Sequence, residues 1–218
     1  LKNVTFTGHK NVDIRVDKRL PMGGGMGGGS SDAATVLLAL NRLWDVNLKR
    51  QPLMDLGLKL GADVPFFIFG RNALVEGIGE IMTPIDTEDA TFVVLHPPVH
   101  VPTPAIFGDP ELTRDTPSLK VPILEGVADQ GILRNDLESV AVRKFPEIAQ
   151  HIQWLSQYAP AKMTGSGSCV FARFTDDVVE KNTSQNQANA VIFGLPKEMT
   201  GFVSSTLSQH QLLDFAAD

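Results

Sequence analysis

Residues 21–34 read Pro21-Met22-Gly23-Gly24-Gly25-Met26-Gly27-Gly28-Gly29-Ser30-Ser31-Asp32-Ala33-Ala34, and this stretch decides what kind of fold surrounds it. Six glycines in the seven positions 23–29 exclude an element interior, because glycine loses the most backbone freedom on ordering. Beyond the loop, Ala33, Ala34, Val36, Leu37, Leu38, Ala39, Leu40, Leu43 and Trp44 predict a mostly apolar helix, and Ser30, Ser31 and Asp32 all suit its cap. A glycine loop that opens a helix makes an anion site, since the first N–H groups of the helix are unpaired and lie at the positive end of its dipole. Residues 21–31 are therefore a candidate cradle for a triphosphate; a tight or flexible connector is the competing reading.

Two common nucleotide loops do not fit. The Walker A pattern needs a lysine directly before the Ser or Thr, and here Gly29 precedes Ser30. Gly23, Gly25 and Gly28 satisfy the Rossmann spacing, but so dense a run satisfies many patterns. The context also fails: four residues separate Asp17 from Met22, and Asp45 follows Trp44 at a helix end rather than at the end of a second strand.

Working outward, Val12, Ile14 and Val16 alternate with Asp13, Arg15 and Asp17 and predict a strand. Pro52 opens a helical stretch to about Leu60, stopped by Gly61. Residues 66–69, 73–76, 91–95 and 169–174 read as strands, and residues 135–145 and 146–158 as helices. Thr164-Gly165-Ser166-Gly167-Ser168 is a second small-residue loop, and the polar run 182–189 reads as a mobile loop. Prolines 97, 98, 102 and 104 punctuate the middle, which suggests a domain boundary near 83–100. Helices and strands alternate without a βαβ rhythm, so the expected class is α+β.

Composition narrows the function. The 218 residues carry a formal charge of −6, which argues against a nucleic-acid partner, since that needs a basic face. No apolar run approaches the roughly 20 residues that span a bilayer, and residues 64–69 are only strand length, so no membrane partner is expected. The single cysteine, Cys169, leaves no disulfide within the chain and fits a reducing compartment, the cytoplasm. His96, His100, His151 and His210 form no metal pattern, and no protein metal site is expected. The chain begins at Leu1, and nothing in its first ten residues looks like a natural start or a secretory signal.

The loop from Pro21 to Ala34 resembles the ATP loop of the GHMP kinases, a superfamily of small-molecule kinases. Three further segments narrow the resemblance to its 4-diphosphocytidyl-2-C-methyl-D-erythritol kinase family. Leu60-Gly61-Ala62-Asp63-Val64-Pro65-Phe66-Phe67 resembles the segment of the catalytic aspartate, and Val101-Pro102-Thr103-Pro104 with Phe107 the cytidine-side segment. Ala161-Lys162-Met163-Thr164-Gly165-Ser166-Gly167-Ser168-Cys169-Val170-Phe171 resembles the C-terminal glycine motif. The resemblance implies a two-lobed fold: a ribosomal-protein-S5-like N-lobe over residues 1–90 that binds ATP, and a ferredoxin-like substrate-side lobe over 91–218. The family's Pro-Ala-Lys-Leu-Asn-like strand, with a lysine near the aspartate and a histidine and tyrosine for the cytosine, is not found here, so the N-lobe is expected to be partial.

The same resemblance implies roles. The resemblance makes Asp63 the expected general base; alone it reads as a loop aspartate capping the turn before Val64-Pro65. Ser30 and Ser31 would touch the β/γ-phosphates and one of them Mg²⁺, or would only cap the helix, so that Mg²⁺ is held mainly by ATP oxygens. Phe107 would stack on cytosine and Thr103 hydrogen-bond the substrate, although the residue alone reads as core. Gly165 and Gly167 would bring N–H groups to the diphosphate, or merely make a tight strand connection. Cys169 reads as a small buried hydrophobe rather than a nucleophile. The expected reaction is ATP-dependent phosphorylation of the 2-hydroxyl of a cytidine diphosphate-linked methylerythritol, in non-mevalonate isoprenoid synthesis. A different GHMP kinase, or a truncated fragment that binds nucleotide without catalysis, are the rivals. Oligomeric state is left open.

Overall fold

The computed structural model describes residues 11–117, 134–176 and 182–218. They form two compact units. The first holds residues 11–19, Gly27–Thr87 and Ser208–Asp218; the second holds Leu20–Met26 and Glu88–Leu207.

In the first unit, α1 (Gly28–Leu43) buries Ala34, Leu38 and Asn41, one stripe at helical spacing. Next, α2 (Arg50–Leu58) buries Arg50, Leu53, Met54 and Gly57. The third helix, α3 (Val64–Phe69), contributes Val64 and Ile68 to the same core. Gly57 makes the packing possible, because a Cβ there would stand 2.8 Å from Ile68 Cδ1 and 2.9 Å from Val64 Cγ1. Leu38, Leu53 and Ile68 are fully buried, worth roughly 1.5–3 kcal/mol each in removed apolar surface. A hairpin of β1 (Ala73–Glu76) and β2 (Ile81–Pro84) follows, with Ala73 opposite Pro84.

The second unit is built on a sheet of β3 (Thr91–Leu95), β4 (Ala161–Met163), β5 (Val170–Phe174) and β6 (Gly201–Ser205). All pairings are antiparallel, in the order β4-β5-β3-β6, with Val93 opposite both Ala172 and Val203. On β5, Val170, Ala172 and Phe174 are buried while Phe171 and Arg173 are not, the alternation of a sheet covered on one face. Among the described residues four helices accompany the sheet: α4 (Thr103–Phe107), α5 (Asp136–Lys144), α6 (Pro146–Leu155) and α7 (Thr183–Phe193). They supply Ile106, Val140, Ile148, Leu155 and Ala188 to one core with Val93, Leu95 and Val170. The α+β expectation holds.

Several sequence expectations are corrected. Residues 66–69 lie in α3, not in a strand: Pro65 sits in the first turn and Gly70 closes the helix at φ 73°. Residues 182–189 are not a loop but open α7, which buries Ser184, Ala188 and Val191. Residues 12–16 keep an alternating pattern but form no strand, because no ladder partner lies among the described residues. The chain passes from the first unit to the second after Thr87, and both units are discontinuous in sequence, unlike the expected division into 1–90 and 91–218. Leu20–Met26 is tied to β5's leading loop, and Ser208–Asp218 to α2. No helix among the described residues is long and apolar enough to cross a membrane.

Candidate active site

The start of α1 differs from what the serines suggested. Gly27, at φ 65°, is the N-cap, and the helix runs from Gly28, so Ser30 and Ser31 lie inside the first turn and no side chain caps it. The Ser31 N–H donates to Gly27 C=O at 2.9 Å and is the first N–H to return into the helix. The N–H groups before it have no intrahelical acceptor, which is the arrangement an anion needs. A Cβ on Gly29 would meet nothing within 4 Å, so this end of the helix is open. At Gly27 the positive φ coincides with a close approach: a Cβ would stand 2.9 Å from the Phe67 ring. Asp32 is not a free carboxylate there, since Lys18 Nζ holds it at 2.7 Å.

Asp63 stands at the N-cap position of α3, exposed, and its side chain makes no capping hydrogen bond. The turn-cap reading of this residue is thus not realised, and among the described residues no hydrogen bond or ion pair commits the carboxylate. The segment carrying it runs beside the start of α1, for a Cβ on Gly61 would lie 4.0 Å from Ser30 Oγ.

In the second unit, the two glycine motifs read separately in the sequence are locked together. Cys169 N–H donates to Gly24 C=O at 3.2 Å, and Thr164 Oγ1 donates to Gly25 C=O at 2.9 Å. A Cβ on Gly24 would stand 2.6 Å from Cys169 Sγ, and one on Gly165 would stand 2.8 Å from Gly25 O. Glycine at 25 and 165 is required by this contact of two backbones, and glycine at 24 by the Cys169 sulfur. Gly167 adopts φ 90°, but its N–H is committed to Thr164 C=O at 3.0 Å, so this amide is not offered to a phosphate. Cys169 is fully buried, and burial pushes its thiol up to about 11, as befits a small hydrophobe.

Thr103 opens α4 and its hydroxyl lies 2.8 Å from that of Ser166, which joins the cytidine-side segment to the second glycine loop. Phe107 ends α4. It is 55% exposed, whereas its neighbour Ile106 is fully buried, so the core reading of Phe107 fails and its ring faces outward. Met22, the second residue of the first loop, is 80% exposed.

The sequence reading missed the residues that shape these loops. Asn135 Oδ1 caps α5 by accepting from Leu137 N–H at 3.0 Å. Its Nδ2 donates to Met163 C=O at 3.1 Å and Gly165 C=O at 2.7 Å. Glu138 accepts the Met163 N–H at 2.7 Å. Asn-x-x-Glu was a legible capping signal, but it gives no hint that both side chains reach across to another loop. Among the described residues no cluster of three His, Cys, Asp or Glu side chains is arranged for a metal ion. His151, buried, shares Nδ1 with Glu147 C=O at 2.7 Å, and His96 is held below the ordinary imidazole range by burial and then by His151.

Known proteins resemble the chain along most of its length. The family described as GHMP kinases N terminal domain matches residues 1–71, and GHMP kinases C terminal matches residues 125–199. A 4-diphosphocytidyl-2-C-methyl-D-erythritol kinase of Thiobacillus denitrificans is 55% identical over 207 residues, which are 95% of this chain and 70% of that protein. One from Ralstonia pickettii is 58% identical over 210 residues, 94% of this chain and 69% of the relative. A crystal structure of 4-(cytidine 5'-diphospho)-2C-methyl-D-erythritol kinase superposes with a TM-score of 0.72 at 33% identity, over 87% of this chain and 68% of that one.

Proposed function

The chain belongs to the GHMP kinases, within their 4-diphosphocytidyl-2-C-methyl-D-erythritol kinase family, and on that premise we propose that it moves the γ-phosphoryl group of ATP to the 2-hydroxyl of 4-diphosphocytidyl-2-C-methyl-D-erythritol. The products are the 2-phosphate and ADP, and the reaction belongs to non-mevalonate isoprenoid precursor synthesis. The observation that carries this reading is the uncommitted carboxylate of Asp63 on a segment that runs beside the open start of α1.

Asp63 accepts the proton of the substrate hydroxyl as its oxygen bonds to the γ-phosphorus and the bond to the β-phosphate oxygen breaks. Phosphoryl transfer is mostly positioning and charge stabilisation, so an ordinary carboxylate suffices. The N–H groups of Gly28, Gly29 and Ser30 bind phosphate oxygens, and Gly27 sets the angle at which the loop enters the helix. Residues 21–26 contribute shape, because Gly24 and Gly25 are held by the second glycine loop. Phe107 stacks on the cytosine, Thr103 hydrogen-bonds the substrate, and the exposed backbone at Gly165 lets the diphosphate approach, while Gly167, its N–H held by Thr164, shapes the turn.

Magnesium fits in one way only. Without a carboxylate cluster among the described residues, it arrives with ATP, held by phosphate oxygens, and a Ser30 or Ser31 hydroxyl is the protein oxygen available at the helix start. When bound it neutralises phosphate charge. A chain with one buried thiol and a nucleotide substrate suits the cytoplasm.

An ATP-consumption assay with the diphosphocytidyl substrate tests the assignment. Asp63→Asn keeps the shape and removes the proton acceptor, so turnover should fall by roughly 10²–10⁴-fold while both substrates still bind. Full turnover by Asp63→Asn would remove it from the base role.

A further inference from the structure

The carbonyl of Phe107 is one that the end of α4 leaves without a helical partner. Arg114 supplies it. Its Nη2 donates to Phe107 C=O at 2.6 Å and to Asp109 C=O at 3.3 Å, and its Nη1 donates to Leu112 C=O at 3.1 Å. One guanidinium therefore gathers three main-chain carbonyls of a single turn.

That turn is anchored from behind. The Asp109 side chain is only 4% exposed, and it takes Arg143 Nη2 at 2.7 Å and Lys144 Nζ at 2.8 Å, both from the last turn of α5. It also accepts the Glu111 N–H at 2.9 Å. The far side of the turn is held at Thr103 by Ser166.

A five-residue helix has no stability of its own. The Phe107 ring is more than half exposed, so core packing does not orient it either. The backbone beneath it sets where its Cα–Cβ bond points, and a stacking surface is useful only when its placement is set before the ligand arrives. We propose that Arg114 is a positioning residue for the base-stacking platform: by holding the Phe107 carbonyl it fixes the ring against which a pyrimidine packs, with Asp109 as the anchor to α5. The proposal rests on the reading of Phe107 as the stacking residue.

A double-mutant cycle tests it, with calorimetric titration of the diphosphocytidyl substrate and, separately, of ATP. Arg114→Met should raise the substrate Kd roughly three- to tenfold, the range of one or two net hydrogen bonds, and leave the ATP Kd unchanged. Arg114→Lys, which keeps one donor, should recover part of the loss. In a Phe107→Ala background, Arg114→Met should add nothing further, because the two act as one unit. Additive losses, or undiminished substrate binding by Arg114→Met when Phe107→Ala is weakened, overturn the positioning role. Undiminished binding by Phe107→Ala overturns the stacking reading beneath it. Should Arg114→Met melt at the assay temperature, the same cycle with Arg114→Gln decides.

Discussion

Asp109 keeps its charge deep into the acid range, because Lys144 first, then the Glu111 amide and Arg143, favour the ionised carboxylate and bring it to about 2 from the usual 3.8. A depressed value stabilises the fold wherever the carboxylate is ionised, because the folded chain binds its proton less readily than the unfolded one. The contribution is complete above about pH 4 and disappears as pH falls from 3.8 towards 2, since the unfolded chain takes up the proton first. Thermal melts of Asp109→Asn against pH should show a lower melting temperature at neutrality and a flatter acid slope in that window. Cys169 gives a second outcome at this scale. Its buried thiol, held at about 11, should resist iodoacetamide in the folded chain and react on unfolding, as mass spectrometry would record. Residue types carried part of the candidate site: the glycine loop stands out by composition, whereas Asp63 stood out only through the family resemblance. The direction of Phe107 did not, because Ile106-Phe107 offers two apolar side chains for one buried position and only the fold chooses between them.

At the level of elements, α3 shows where local pattern misleads. Four consecutive apolar residues at 66–69 have no period, so strand and helix fit equally. The decisive marks were at the edges: Pro65 in the first turn and Gly70 in the left-handed region just past the end. The alternation at 12–16 misled in the opposite sense, since a strand is a pairing and its partner is not a local property. Helices α1, α2, α5 and α6 were legible from their apolar spacing, although the serines expected to cap α1 lie inside its first turn. Helix packing predicts that Gly57→Ala, which drives a methyl into Ile68 and Val64, should destabilise the first unit by about 1–3 kcal/mol in urea unfolding. At the other end of the core, Gly27→Val meets both a positive φ and the Phe67 ring, so a folded variant should bind ATP much more weakly by calorimetry.

Across the whole molecule, the last residues of the chain belong to the unit built from early ones. Arg50, buried on α2, donates to Ile68 C=O at 2.9 Å, Leu213 C=O at 2.8 Å and Ala216 C=O at 2.7 Å, and pairs with Asp218. Its own N–H reaches Ala217 C=O at 2.7 Å, while Ala216 sits in the core of α1, α2 and α3. Arg50→Met should cost roughly 3 kcal/mol of unfolding free energy, through the carbonyls left unpaired. Deleting Ser208–Asp218 should cost at least as much, and the combination far less than the sum, because both remove the same contacts. The same clasp imposes a timetable on synthesis. After Thr87 has been made, 131 further residues must be translated before Asp218 exists, which at about 5–20 residues per second takes roughly 7–26 s. Throughout that interval Arg50 lacks the carbonyls of Leu213, Ala216 and Ala217 that complete its burial.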